Sequence, residues 1–184
     1  MRLKNILAAL CILPLLSATA MADKPVRVSL LTGAGVPIGG YWGGNFKASG
    51  YVGGESEIEW SENIATGMMA GYFFGHTDGR ELKREFKNLH ITPYVKYTEP
   101  LGGGWNASAM GGVGIYFVNY DDDAAVPDVD DSTKRYFGYM AGVSLTKMFT
   151  TSLEIGLDVR FHQIFRQQYT INTLTPALTM ALHF

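Results

Sequence analysis

The chain has 184 residues, with 15 basic and 17 acidic side chains, a formal net charge of −2 and a mean hydropathy of +0.04. That balance excludes nucleic acid as a partner, since such binders need a basic stripe. A single cysteine among 184 residues excludes an intramolecular disulfide and a thiolate metal centre.

At the start, Arg2 and Lys4 precede a short apolar run from Ile6 to Leu16. Ala20-Met21-Ala22 then places small residues where a signal peptidase reads them, so cleavage is expected before Asp23. At roughly 11 residues the run is too short for a stable membrane-spanning helix. Cys11 lies inside this run, behind Leu10 rather than a small residue, which argues against lipidation. Residues 1–22 are therefore read as a signal peptide and residues 23–184 as one mature domain, with 13 basic side chains against 17 acidic.

No second long apolar segment follows. A chain of this kind crosses a membrane only as a closed barrel, because lipid supplies no water to satisfy unpaired backbone groups. The pattern after residue 23 alternates with a period of two. It is clearest where Leu153, Ile155, Leu157, Val159 and Phe161 take one face and Glu154, Gly156, Asp158, Arg160 and His162 the other. Large apolar residues opposite charges suit a wall between lipid and a polar lumen. The same reading predicts strands near 26–36, 50–60, 64–74, 88–98, 105–118, 135–146, 152–165 and 171–184. Between them, Ser61–Asn63, Glu99–Gly104 and Lys147–Thr151 form short turns, whereas Val36–Ser49, Gly75–Lys87 and Asn119–Lys134 form longer loops. The last loop, Arg166–Thr170, is short. The fold class is all-β: an eight-stranded antiparallel transmembrane β-barrel preceded by a cleaved signal peptide.

Outward aromatics give a second pattern. If the first strand starts in the periplasm, Trp60, Tyr97, Trp105 and Phe184 fall near the periplasmic ends. Tyr72, Phe74, Phe117, Phe137 and Phe161 fall near the outer ends. Two aromatic belts are what interfacial anchoring requires. The final strand, Thr173 to Phe184, carries apolar residues at every second position. With the signal and the eight alternating strands, it resembles the small outer-membrane barrels of the outer-membrane protein A and X types. That resemblance implies insertion among outer-membrane lipid and lipopolysaccharide. It also implies delivery by periplasmic chaperones and reading of Phe184 by the barrel-assembly machinery. No peptidoglycan-binding domain is expected after the last strand.

By alternation Arg27, Glu55, Glu57, Glu59, Lys96, Glu154, Asp158 and Arg160 face inward, together with His90, His162 and His183. An eight-stranded barrel is just wide enough to be filled by its own side chains. The simpler reading of these charges is a salt-bridged plug. The alternative is a narrow gated path for ions or small solutes, in which Glu57 and Arg160 pair and part. His162 is the best single candidate for catalysis. It is similar to the histidine of outer-membrane lipid A deacylases, but the serine expected two residues later is Ile164, so the nucleophile is missing. His76-Thr77-Asp78 is only faintly similar to a palmitoyltransferase site.

Asp121, Asp122, Asp123, Asp128, Asp130 and Asp131 crowd the third outer loop without the glycine and terminal glutamate of a calcium loop. They are read as a solvated acidic segment, and no metal is assigned. Gly33-Ala34-Gly35 is read as strand glycine rather than a phosphate loop, since no helix follows; no cofactor is expected. Tyr41, Trp42 and Phe46 in the first outer loop are candidates to contact a host or cell-surface ligand, or lipid headgroups. The expected role is non-enzymatic, combining envelope structure with display of surface loops. A narrow pore is the rival, and lipid A modification ranks last.

Overall fold

The computed structural model describes residues 24–39, 45–77, 84–122, 133–166 and 170–184. The proposed signal segment, Tyr41, Trp42 and most of the acidic loop lie outside these residues. Eight strands run in chain order: β1 (Val26–Pro37), β2 (Ser49–Glu59), β3 (Ile64–Thr77), β4 (Arg84–Gly102), β5 (Trp105–Asp122), β6 (Lys134–Met148), β7 (Leu153–Phe165) and β8 (Thr170–His183). Each pairs antiparallel with the next, and β8 closes on β1, giving one barrel without a free edge.

Period-two patterning accounts for the two faces. On β8, Ile171, Thr173, Thr175, Ala177, Thr179 and Ala181 are buried, while Leu178, Met180 and Leu182 face out. On β7, Glu154, Asp158, Arg160 and His162 are buried, and Ile155, Leu157 and Val159 are exposed. Such a surface, apolar outside and charged inside, inverts a soluble protein and matches a wall facing hydrocarbon.

The aromatics sit at the strand ends. Trp60, Tyr97, Trp105 and Phe184 are exposed at the end that carries both termini, joined there by Phe149. Phe74 and Phe137 are exposed toward the other end, where Tyr72, Phe117 and Phe161 are half-buried. Basic side chains lie over several of these rings: Lys24 over Trp60 at 5.5 Å, Lys147 over Trp105 at 5.3 Å and Arg135 over Phe117 at 5.8 Å.

Of the strands that exceed their predicted lengths, β4 and β5 do so by most. β4 has 19 residues and β5 has 18, because polar residues expected in loops continue the ladder through Lys87–Asn119, Glu85–Asp121 and Arg84–Asp122. At the other end, Glu99 to Gly102 also belong to β4, with a bulge between Pro100 and Gly102. The turn that follows is closed by Gly102, Gly103 and Gly104, with φ of 86°, 60° and 79°. Three consecutive left-handed residues are tolerated because none carries a Cβ.

Two prolines interrupt the ladders without shifting them. β4–β5 pairing stops at Ile91–Ile115 and resumes in register at Tyr94–Gly112, around Pro93. β1–β8 pairing stops at Gly33–Ala177 and resumes at Val36–Leu174, around Pro176. Proline has no N–H to donate. Glycines flank the facing residue in both places: a Cβ on Gly112 or Gly33 would strike the carbonyl oxygen of Pro93 or Pro176.

Candidate functional site

The inward charges converge in two clusters stacked along the lumen. In the lower one, nearer the termini, Arg27 lies 2.7 Å from Glu154, 3.1 Å from Glu57 and 3.8 Å from Glu55. Lys96 from β4 also pairs with Glu57, and the Tyr94 hydroxyl donates to the same carboxylate at 2.7 Å. Glu154 accepts from Thr146 and lies 2.9 Å from His183. Glu59 and His183, 3.6 Å apart, stand at the half-exposed mouth. They border a vestibule of about 280 Å³ whose lining includes Arg27, Lys96 and Glu154.

In the upper cluster Arg160, 1% exposed, holds Asp158 through two contacts, Nε to Oδ1 at 2.6 Å and a terminal nitrogen to Oδ2 at 2.8 Å. Its other terminal nitrogen pairs with Glu55. A fork-on-fork pair with a second carboxylate beside it is the geometry that repays desolvation of a buried guanidinium. Met69, Tyr94, Met110 and Met140 pack as an apolar collar at this level. The pairing of Glu57 with Arg160 that belongs to the gated-path alternative is not formed here. Glu57 belongs to Arg27 and Lys96, and Arg160 belongs to Asp158 and Glu55, because strand stagger places the two groups in different layers.

Above the charges the lumen is filled by rings. His90 stacks on Tyr116 with centroids 5.3 Å apart and meets His162 edge-on at 4.9 Å. Tyr51 and Phe73 pack at 4.8 Å beside them. Higher still, Phe46, Phe86, Tyr116, Val118, Ile164 and Ile171 form an apolar cap, with His76 stacked on Phe86 at 4.6 Å. Inward alternation on β2, β3 and β5 marks Tyr51, Phe73 and Tyr116, whereas Phe86 falls in the segment read as a loop.

Phe46 also requires correction as a displayed loop contact. It is 9% exposed, and its ring meets Phe86 edge-on at 5.9 Å. The chain returns into the mouth there because the Lys47 N–H donates to the Thr77 carbonyl at 2.9 Å, and the Lys47 carbonyl lies 3.0 Å from His76 Nδ1. Tyr41 and Trp42 lie outside the described residues, as do Asp78, Asp123, Asp128, Asp130 and Asp131. His162 is sealed within the ring layer, its Nδ1 3.1 Å from the Tyr116 hydroxyl, and Ile164 is packed in the cap two residues on. Among the described residues, no group of three or more His, Cys, Asp or Glu is arranged to hold a metal ion.

The sequence matches no protein-family model and no curated protein. Solved structures do match. Neisserial surface protein A aligns with 8% identity and a TM-score of 0.62, covering 86% of this chain and 95% of that one. Ail, the attachment invasion locus protein of Yersinia pestis, solved with the heparin analogue sucrose octasulfate, aligns with 11% identity and a TM-score of 0.57, covering 88% and 99%. The outer-membrane enzyme PagL aligns with 15% identity and a TM-score of 0.54, covering 84% and 97%. With its closed antiparallel sheet, apolar exterior and filled interior, the chain has the fold of the small eight-stranded outer-membrane β-barrels.

Proposed function

We propose that this chain is a non-enzymatic integral protein of the bacterial outer membrane, a plugged barrel that reinforces the envelope and holds its outer loops in place for contact. The observation that carries this reading is the lumen. Three buried cations, Arg27, Lys96 and Arg160, face the four buried carboxylates Glu55, Glu57, Glu154 and Asp158, and a ring layer and an apolar cap lie above them. Residues that meet their own partners across the bore leave little to spend on a ligand or a reaction. Export on the signal peptide, recognition of Phe184 by the assembly machinery, and contact of the mature wall with lipid and lipopolysaccharide belong to the same proposal. The first outer loop, with Tyr41 and Trp42, is the segment assigned to a host or cell-surface ligand. Two neighbours favour this, being named a surface protein and an attachment protein. PagL has the same fold and is an enzyme. The non-enzymatic reading therefore rests on Ile164 standing two residues after His162, and on the closure of the ring layer around that histidine.

Planar-bilayer conductance of the refolded barrel tests the plug, with a silent, folded barrel expected. The pore reading has one observation in its favour. The side-chain oxygens of Ser29, Thr175 and Thr179 and Nε2 of His162 are buried without a hydrogen-bond partner, which leaves polar atoms along the bore. Steady unitary currents that change with Arg160→Gln would replace the plug with that pore. Lipid A that is altered by expression of the wild type and restored by His162→Ala would replace it with an enzyme.

A further inference from the structure

The outer wall is not uniform. Across β2 to β6 it carries a concavity of about 1,110 Å³, edged by Ile58, Met68, Val95, Val113 and Tyr139 with Thr66 at its foot. Its cause is local. Pro93 interrupts the β4–β5 ladder at this height, and Gly111 puts no side chain on the outward face. Val113 is left 69% exposed at the rim. The lining also reaches Gly67, Tyr94, Gly112 and Met140, residues of the inward face.

The foot of the groove is chemically different. The Trp60 indole N–H donates to Thr66 Oγ1 at 2.7 Å, and the ammonium of Lys24 lies over the same indole ring at 5.5 Å. Thus an apolar trough ends beside a tryptophan and a cation at the rim that carries both termini. An acyl chain fits the trough, and a phosphate fits the cation.

Resting on the membrane reading above, we propose that this groove is a binding site for one phospholipid of the periplasmic leaflet. One tail lies along Met68, Val95 and Val113 over Gly111, and the headgroup phosphate sits at Lys24 and Trp60. A lipid A tail would enter from the opposite rim, where no such foot exists among the groove residues. The height of the foot therefore selects the leaflet.

The test uses the full barrel purified from membranes in mild detergent, given palmitoyl-oleoyl-phosphatidylglycerol and examined by native mass spectrometry. Wild type is expected to retain one lipid. Gly111→Leu fills the trough, and the fold tolerates it, because a Cβ there meets nothing nearer than the Met140 carbonyl at 3.9 Å. Its lipid-bound fraction should fall about tenfold. Lys24→Gln should lower retention of phosphatidylglycerol about threefold. Leu178→Phe, on the opposite wall, should leave retention unchanged. A folded barrel that carries no lipid, a Gly111→Leu variant that retains as much as wild type, or a preference for lipopolysaccharide overturns the site. Failure of the barrel to enter vesicles at all would instead overturn the membrane reading.

Discussion

Replacing Arg160 with methionine keeps the volume of the side chain but leaves Asp158 and Glu55 as adjacent buried carboxylates without their cation. Both are 2% exposed, so water offers little relief. The two charge-assisted bonds to Asp158 are each worth about 1.5–3 kcal/mol. Breaking a buried pair from one side costs about 3–5 kcal/mol, mostly from the charge left behind. A loss of about 3–5 kcal/mol is therefore expected, against about 1 kcal/mol for a typical substitution. Equilibrium urea unfolding in phospholipid vesicles, followed by tryptophan fluorescence, measures it. The further changes Glu55→Gln and Asp158→Asn should restore most of the loss, because no unpaired charge then remains. As a control, Lys87→Met breaks a pair at 3.0 Å whose side chains are 35% and 31% exposed, and should cost less than about 1 kcal/mol. A loss below about 1 kcal/mol in Arg160→Met would refute the claim that this layer is a desolvated plug.

Phe46→Ala opens the apolar cap and should cost about 3 kcal/mol, read as a lower temperature for the shift from folded to unfolded mobility on gels. Gly33→Ala should cut the yield of folded barrel sharply, since its Cβ would lie 2.7 Å from the Cα of Ala177 at the β1–β8 closure. Gly111→Ala should fold as wild type; equal yields for the two alanine variants would contradict the registered packing. Gly103→Ala meets no neighbour within 4 Å, so only its φ of 60° opposes it, at about 1 kcal/mol by urea unfolding.

Strand number and the inward charges were legible because lipid on one side and a polar bore on the other force a strict alternation. Arg27, Glu57, Lys96, Glu154 and Arg160 could be assigned to the bore one strand at a time. Their partners could not, since who meets whom across a barrel depends on stagger and closure, which no single strand encodes. Phe46 was misplaced for a related reason. Its sequence neighbourhood reads as a glycine-rich loop, and only the tertiary bond between Lys47 and Thr77 turns it inward. The upper reaches of β4 and β5 were not legible because outside the apolar band a strand no longer alternates, and Arg84 to Lys87 look like any polar loop. The proline breaks left a visible trace, Thr-Pro at 92–93 and 175–176 opposite Gly-x-Gly at 112–114 and 33–35, but its meaning needs the pairing.

The unequal strand lengths give the barrel a tall side and a low side. At about 3.4 Å per residue, β5 traces about 60 Å, or some 45 Å of height at a tilt near 40°. The 12 residues of β1 give only about 30 Å, little more than an apolar band of about 25 Å. Among the described residues the β4–β5 ladder is therefore the longest part of the wall, running past the last β3 partner, Ile64, as far as the Gly102–Trp105 turn at the rim that carries both termini.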